Sequence, residues 1–158
     1  ISERFCNDIY HYLCSLTATS NVDDIMQNIW LSLINSKSEY QATASAKTYL
    51  FGIARKRLID WQRKQSFFSS NANDEFDMLH IKSNELTHDE SIYQEQIKTQ
   101  FDQALMTLKF NKQEAFILQQ EGFSILEISE ITTSSVDTIK SRIKSAKQIL
   151  TQQLRSTI

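Results

Sequence analysis

Apolar residues return every three or four positions along most of this chain, the spacing of one face of an α-helix. From Glu3 to Leu16 the series is Phe5, Ile9, Tyr12, Leu13 and Leu16. After a polar break at Ser20 and Asn21, a second series runs through Val22, Ile25, Met26, Ile29, Trp30, Leu33 and Ile34. "SNVD" offers Ser20 as its N-cap, with Asp23 three residues on. The polar stretch "NSKSEYQATAS" separates it from a third series, Ala46, Tyr49, Leu50, Ile53, Leu58 and Trp61.

Periodicity lapses between Ser66 and about Ser91, where Asp74, Glu75, Asp77, Glu85, Asp89 and Glu90 outweigh Lys82. That is the signature of a solvated linker, although Phe67, Phe68, Phe76, Met78 and Leu79 could dock on a neighbour. The helical pattern resumes at Ile97, Phe101, Ala104, Leu105 and Leu108. "NKQE" from Asn111 reads as the cap of a short helix that Gly122 terminates. "SILE" from Ser124 is a further capping box, opening a helix that closes near Ile131. "SSVD" starts the last helix, with Val136, Ile139, Ile143, Ala146, Ile149 and Leu150 facing inward.

Composition agrees with the pattern. The 158 residues include two glycines and no proline, so few obligatory breaks exist. The expected fold is all-α: two small helical domains, 1–66 and 92–158, joined by a flexible acidic linker, 67–91, the second domain a helix-turn-helix. No apolar run approaches the roughly 18 residues needed to cross a bilayer. The chain opens at Ile1 without an initiator Met, as a trimmed fragment would, and with no charged-then-apolar leader. A soluble, cytoplasmic protein without membrane insertion is expected.

Catalysis finds little support. His11, His80 and His88 are scattered, and no nucleophile–base pairing or phosphate-cradling glycine loop is visible. Cys6 and Cys14 lie on one helical pattern about 12 Å apart, too far to bridge. With His11 they share no helix face, so they are read as buried or bystander thiols. No enzyme, metal or cofactor is expected.

Charge carries more. The formal net charge is -2, yet after Glu127, Glu130 and Asp137 no acidic residue follows, while Lys140, Arg142, Lys144, Lys147 and Arg155 do. Two helices joined by a few polar residues, the second basic, describe a helix-turn-helix. Its recognition helix enters the major groove among phosphates, where cations release counterions and carboxylates would be repelled. A solvated basic face on an ordinary bundle helix is the alternative. A second cluster, "AKTYLFGIARKRLIDWQRKQ", sets Lys47, Arg55, Lys56, Arg57, Arg63 and Lys64 against Asp60, with Tyr49, Phe51 and Trp61 interleaved. Cations among rings suit single-stranded nucleic acid. Tyr49 and Trp61 fit core positions better, whereas Phe51 fits either.

With these stretches in order, the sequence resembles bacterial RNA polymerase sigma factors of the extracytoplasmic-function group. "VDDIMQNIWLSL" resembles the helix that docks on the polymerase clamp, and "AKTYLFGIARKRLIDWQRK" the helix that engages the melted minus-ten element. "EGFSILEISEITTSSVDTIKSRIKSAKQIL" resembles the helix-turn-helix that reads the minus-thirty-five element. The resemblance implies a sigma factor that binds core polymerase at clamp and flap, recognises both promoter elements and supports melting, with no catalysis of its own. Asp24, Gln27, Asn28 and Leu31 are then the clamp contacts. Tyr40, Gln41, Thr43 and Ser45 fall in the loop that captures a flipped base, with Lys47, Arg55 and Lys56 beside it on the minus-ten element. Ser135, Asp137, Thr138, Lys140 and Ser141 are the minus-thirty-five readers, and Arg142, Lys144 and Lys147 the phosphate contacts. Many relatives are held by an anti-sigma factor covering both domains, so such a partner is allowed for.

The connector suits the task. About 24 extended residues reach up to ~80 Å, and two elements on one DNA face one to two turns apart need ~35–70 Å. The sequence also departs from the family pattern. Thr132, Thr133 and Ser134 stand where a Leu-Gly-Ile type of turn is usual, so Thr133 implies strain or a different turn. Asp137 replaces a common Gly and is read as a helix cap or an acceptor for a cytosine amino group, the cap being preferred. Asn28 stands where an acidic residue is frequent, and Gly52 inside a helix suggests close packing. The competing functions are a helix-turn-helix regulator acting without stoichiometric polymerase and a helical adaptor without a DNA role.

Overall fold

In a computed structural model of the chain, the described residues are 3–35, 45–68 and 92–156. They form seven helices: α1 (Glu3–Leu16), α2 (Thr19–Asn35), α3 (Ala46–Phe68), α4 (Ile92–Met106), α5 (Phe110–Gln120), α6 (Ile125–Thr132) and α7 (Val136–Ser156). Residues 69–91, most of the expected linker, and residues 36–44 lie outside the described set. The all-α expectation holds.

Helix ends show where local sequence rules and where packing does. α6 begins as anticipated: the Glu127 N–H donates to Ser124 Oγ and the Ser124 N–H donates back to Glu127 Oε1, at 3.2 and 3.0 Å. α3 is capped by Ser45, whose Oγ accepts from the Thr48 N–H at 3.2 Å. Two expected caps are corrected. α2 starts at Thr19, so Ser20 lies inside its first turn. α5 starts at Phe110 after Lys109, with no side-chain cap, and Asn111 lies inside it. Phe110 is buried, so packing anchors this helix start in place of a capping bond.

α5 and α6 end in the same way. The Phe123 N–H donates to Leu118 O and the Gly122 N–H to Gln119 O, with Gly122 at φ 97°. In α6 the Ser134 N–H donates to Ser129 O and the Thr133 N–H to Glu130 O, with Thr133 at φ 53°. Both are Schellman motifs. The first uses glycine at the left-handed position, and the second forces a β-branched residue into it, the strain that the sequence implied.

α1, α2 and α3 pack together, and α4, α5 and α6 pack around α7. The two groups also pack on each other, α1 on α5 and α3 on α6. One apolar core consequently runs from Tyr12, Leu16, Ile25 and Phe51 through Ile117 and Phe123 to Ile128 and Ile139. A smaller cluster joins Ala104, Leu105, Leu108, Phe116, Ala146 and Leu150. Phe51 belongs to the core: its ring is fully buried, tilted against Tyr12 at 5.3 Å and edge-on to Phe123 at 4.8 Å between centroids. The close packing expected around Gly52 is absent, since a Cβ there would meet nothing within 4 Å.

Candidate nucleic-acid interface

α7 presents the clearest charged face. Ile139, Ile143, Ala146 and Leu150 turn inward, so Asp137, Lys140, Ser141, Lys144 and Lys147 are left exposed. Residues 137, 140, 141 and 144 share one stripe at helical spacing. Ser135 begins the helix: its Oγ accepts from the Thr138 N–H at 3.2 Å and lies 2.7 Å from Thr138 Oγ1. The cap is therefore Ser135 and not Asp137, whose exposed carboxylate sits in the first turn, where the helix dipole favours it. Arg142 stands off the stripe. It is half-buried and donates from Nη1 to Ser134 Oγ at 3.2 Å, bracing the strained turn.

α2 carries a second exposed stripe, of Asp24, Gln27, Asn28 and Leu31. Leu31 is 58% exposed, and Trp30 and Ile34 beside it are 37% and 63% exposed. The hydrophobic period had assigned Trp30 and Ile34 to the core. They instead widen an apolar surface patch, and nothing in a simple period separates such a patch from a buried stripe.

α3 divides its cations between two faces. Lys56, Arg63 and Lys64 are exposed, and Arg57 pairs with Asp60 at 3.3 Å on the surface. Lys47, Thr48, Phe51 and Arg55 point the other way, into the junction with α5 and α6. The Arg55 Nε–H is shared between both oxygens of Glu114, each at 3.1 Å, and the Tyr12 hydroxyl donates to Glu114 Oε2 at 2.8 Å. Lys47 Nζ lies 3.4 Å from Asp8 Oδ2, donates to the Glu121 carbonyl at 3.2 Å, and sits 5.1 Å from the Phe123 ring centroid. Thr48 Oγ1 donates to Glu127 Oε2 at 3.1 Å. Of the expected minus-ten set, Ser45 is exposed and Tyr40, Gln41 and Thr43 lie outside the described residues.

Burial dominates the electrostatics of this junction. It pushes the Glu114 carboxyl above its ordinary range, against the opposing pull of Arg55 and of the Tyr12 hydroxyl. It also pushes the Tyr12 phenol well above its usual value, with the Glu114 charge acting in the same direction. Glu121 is raised by burial and by Asp8. Glu127 moves down, because the Ser124 backbone N–H stabilises its charged form. Sequence reasoning had cast Glu114 as part of a cap and missed its role in the junction. A carboxylate in the middle of the apolar run "AFIL" was the available signal.

Comparison with known proteins bears on these surfaces. Residues 2–68 match the family model for sigma-70 region 2, and residues 98–150 match that for sigma-70 region 4. The ECF RNA polymerase sigma factor SigX of Bacillus subtilis (strain 168) is 26% identical over 142 residues, covering 87% of this chain and 73% of its own length. The sigma factor RpoE from Bartonella quintana, solved in complex with the anti-sigma factor NepR, is similar with TM-score 0.72 and 21% identity, over 96% of this chain and 92% of that one. CnrH, solved in complex with the cytosolic domain of CnrY, gives TM-score 0.68 and 16% identity, over 97% and 84%.

Proposed function

Since the chain belongs to the sigma-70 family, within its extracytoplasmic-function group, we propose that it is a promoter-selectivity subunit of RNA polymerase. In this role it docks on the clamp and flap of the core enzyme, contacts two promoter elements and supports opening of the DNA. The family is one of non-enzymatic regulators of transcription, and the role proposed here involves no bond-making step. It would be exercised in the cytoplasm, where the template lies. Among the described residues no helix is long and apolar enough to cross a membrane.

The observation that carries this reading is the α7 stripe, with its cations in solvent directly behind a capped turn. Ser135, Asp137, Thr138, Lys140 and Ser141 stand near the helix N-terminus, from which base edges are read in the major groove. Lys144 and Lys147 neutralise flanking phosphates, joined by Arg142 from its Ser134 tether. Asp24, Gln27, Asn28 and Leu31, extended by Trp30 and Ile34, form the docking face for the polymerase clamp. Ser45, Lys47, Arg55 and Lys56, with Tyr40, Gln41 and Thr43, hold the opened minus-ten strand. A receiving pocket there offsets the few kcal/mol that an unstacked base costs. The likeness to a sigma factor solved with an anti-sigma factor supports a partner of that kind for this chain.

Transcription from a promoter library with purified core polymerase tests the assignment. The chain should direct initiation from a subset of promoters that share two spaced elements. No promoter-specific transcript, or DNA binding without stoichiometric polymerase, would favour a stand-alone helix-turn-helix regulator. In the same assay Lys140→Ala should change preference at one base pair by about 1–3 kcal/mol, whereas Lys144→Ala should weaken all promoters alike. A uniform loss for Lys140→Ala would remove it from the readers.

A further inference from the structure

Two of the cations proposed for the minus-ten strand are already occupied by the chain itself. Arg55 is taken by Glu114, and Lys47 by Asp8 and the Glu121 carbonyl, while Thr48 between them is bonded to Glu127. Glu114, Glu121 and Glu127 all come from the second half of the chain and face one α3 surface. Every one of these contacts ends on an oxygen, the atom that a phosphate would offer. Carboxylate and phosphate are interchangeable ligands for a guanidinium, and both accept its N–H groups as anions. The apolar lining behind them, Tyr12, Phe51 and Phe123, is continuous across the two halves.

We propose that Glu114 acts as an internal substitute for a promoter phosphate, closing the second half of the molecule over the minus-ten surface of the first until polymerase and DNA displace it. The inference rests on the sigma-factor reading and adds a resting state to it. Closure and DNA engagement exclude each other at Arg55, because one guanidinium edge serves one anion. The balance suits a switch. Burying the Arg55–Glu114 pair costs desolvation that its attraction barely offsets, so the pair selects one docking geometry more than it stabilises it. A competing anion of similar geometry loses little by replacing Glu114. The exposed patch of Trp30, Leu31 and Ile34 lies outside the junction and stays available in the closed state. Polymerase can therefore dock first and draw the equilibrium toward the open state, provided that it binds the open state more tightly.

Glu114→Gln and Tyr12→Phe weaken the latch without touching an exposed cation. Small-angle scattering of the free full-length chain should give a compact wild type and a larger radius of gyration for both variants, the greater change for Glu114→Gln. Affinity of the free chain for a forked duplex with a single-stranded tail should rise about tenfold for Glu114→Gln, the reach of one lost hydrogen bond between charged groups. Tyr12→Phe removes one oxygen and should move both readouts the same way by less. If Glu114→Gln loses helicity, Tyr12→Phe decides alone. An extended wild type, or variants as compact and as weakly binding as the wild type, would overturn the latch. Failure of the wild-type chain to initiate with core polymerase would instead sink the sigma-factor reading, and scattering would still report whether the chain closes on itself.

Discussion

α3 and α7 are both long, basic and amphipathic, yet they hold their cations in opposite states. On α7, Lys140, Lys144 and Lys147 stand in solvent and only Arg142 is tethered, to Ser134. On α3, Lys47 and Arg55 are drawn into the junction with the second half, and only the outward row at Lys56, Arg63 and Lys64 is exposed. The same residue types thus signify an available surface in one helix and a closed one in the other. The difference lies in what packs opposite. α7 turns its apolar stripe to α4, α5 and α6, so its charges face outward. α3 has α2 on one side and α6 on another, and its cations there meet glutamates.

The largest expected effect breaks this comparison at its hinge. Phe51→Ala should cost about 3–5 kcal/mol in urea denaturation, because the ring is fully buried between Tyr12 and Phe123. A double-mutant cycle with Phe123→Ala should return about 0.5–1.5 kcal/mol of coupling. Strict additivity would mean that the rings do not meet and that the α3 surface is open.

A smaller effect sharpens the α7 side. Thr133→Gly should stabilise the protein by about 1 kcal/mol, read as a higher thermal midpoint, since glycine enters the left-handed turn without the Cβ penalty. A fall in stability would show that the Thr133 Oγ1 bond to the Thr132 carbonyl outweighs the strain. On α3, Gly52→Ala should add about 0.5–1 kcal/mol by helix propensity alone, because the added methyl meets nothing. Destabilisation would reveal a neighbour in a state other than this one.

How much of this was legible in the sequence depends on whether the determinant was local. The α6 capping box, the Gly122 stop and the strained Thr133 turn were readable because each is set within about six residues. The exposed α7 row was readable too, since Ile139, Ile143 and Ala146 mark the inward face and leave the cations no other direction. Phe51 stayed ambiguous and Glu114 was misassigned because both depend on contacts between residues far apart in the chain. Glu114 reaches Tyr12 across 102 positions and Arg55 across 59. A helical period identifies a buried face without naming what buries it. Trp30 and Ile34 failed in the opposite direction, as apolar residues in register that nothing in the chain covers.

The most direct test of the split between α3 and α7 is the salt dependence of duplex DNA binding by the free chain. Lys144→Ala should weaken binding and reduce the slope of log K against log salt by about 1, the loss of one phosphate contact. Arg55→Ala should leave the slope of the free chain unchanged, because Glu114 already occupies that guanidinium. An Arg55→Ala slope reduced as much as that of Lys144→Ala would contradict the account, since it would place Arg55 on DNA before any partner has opened the molecule.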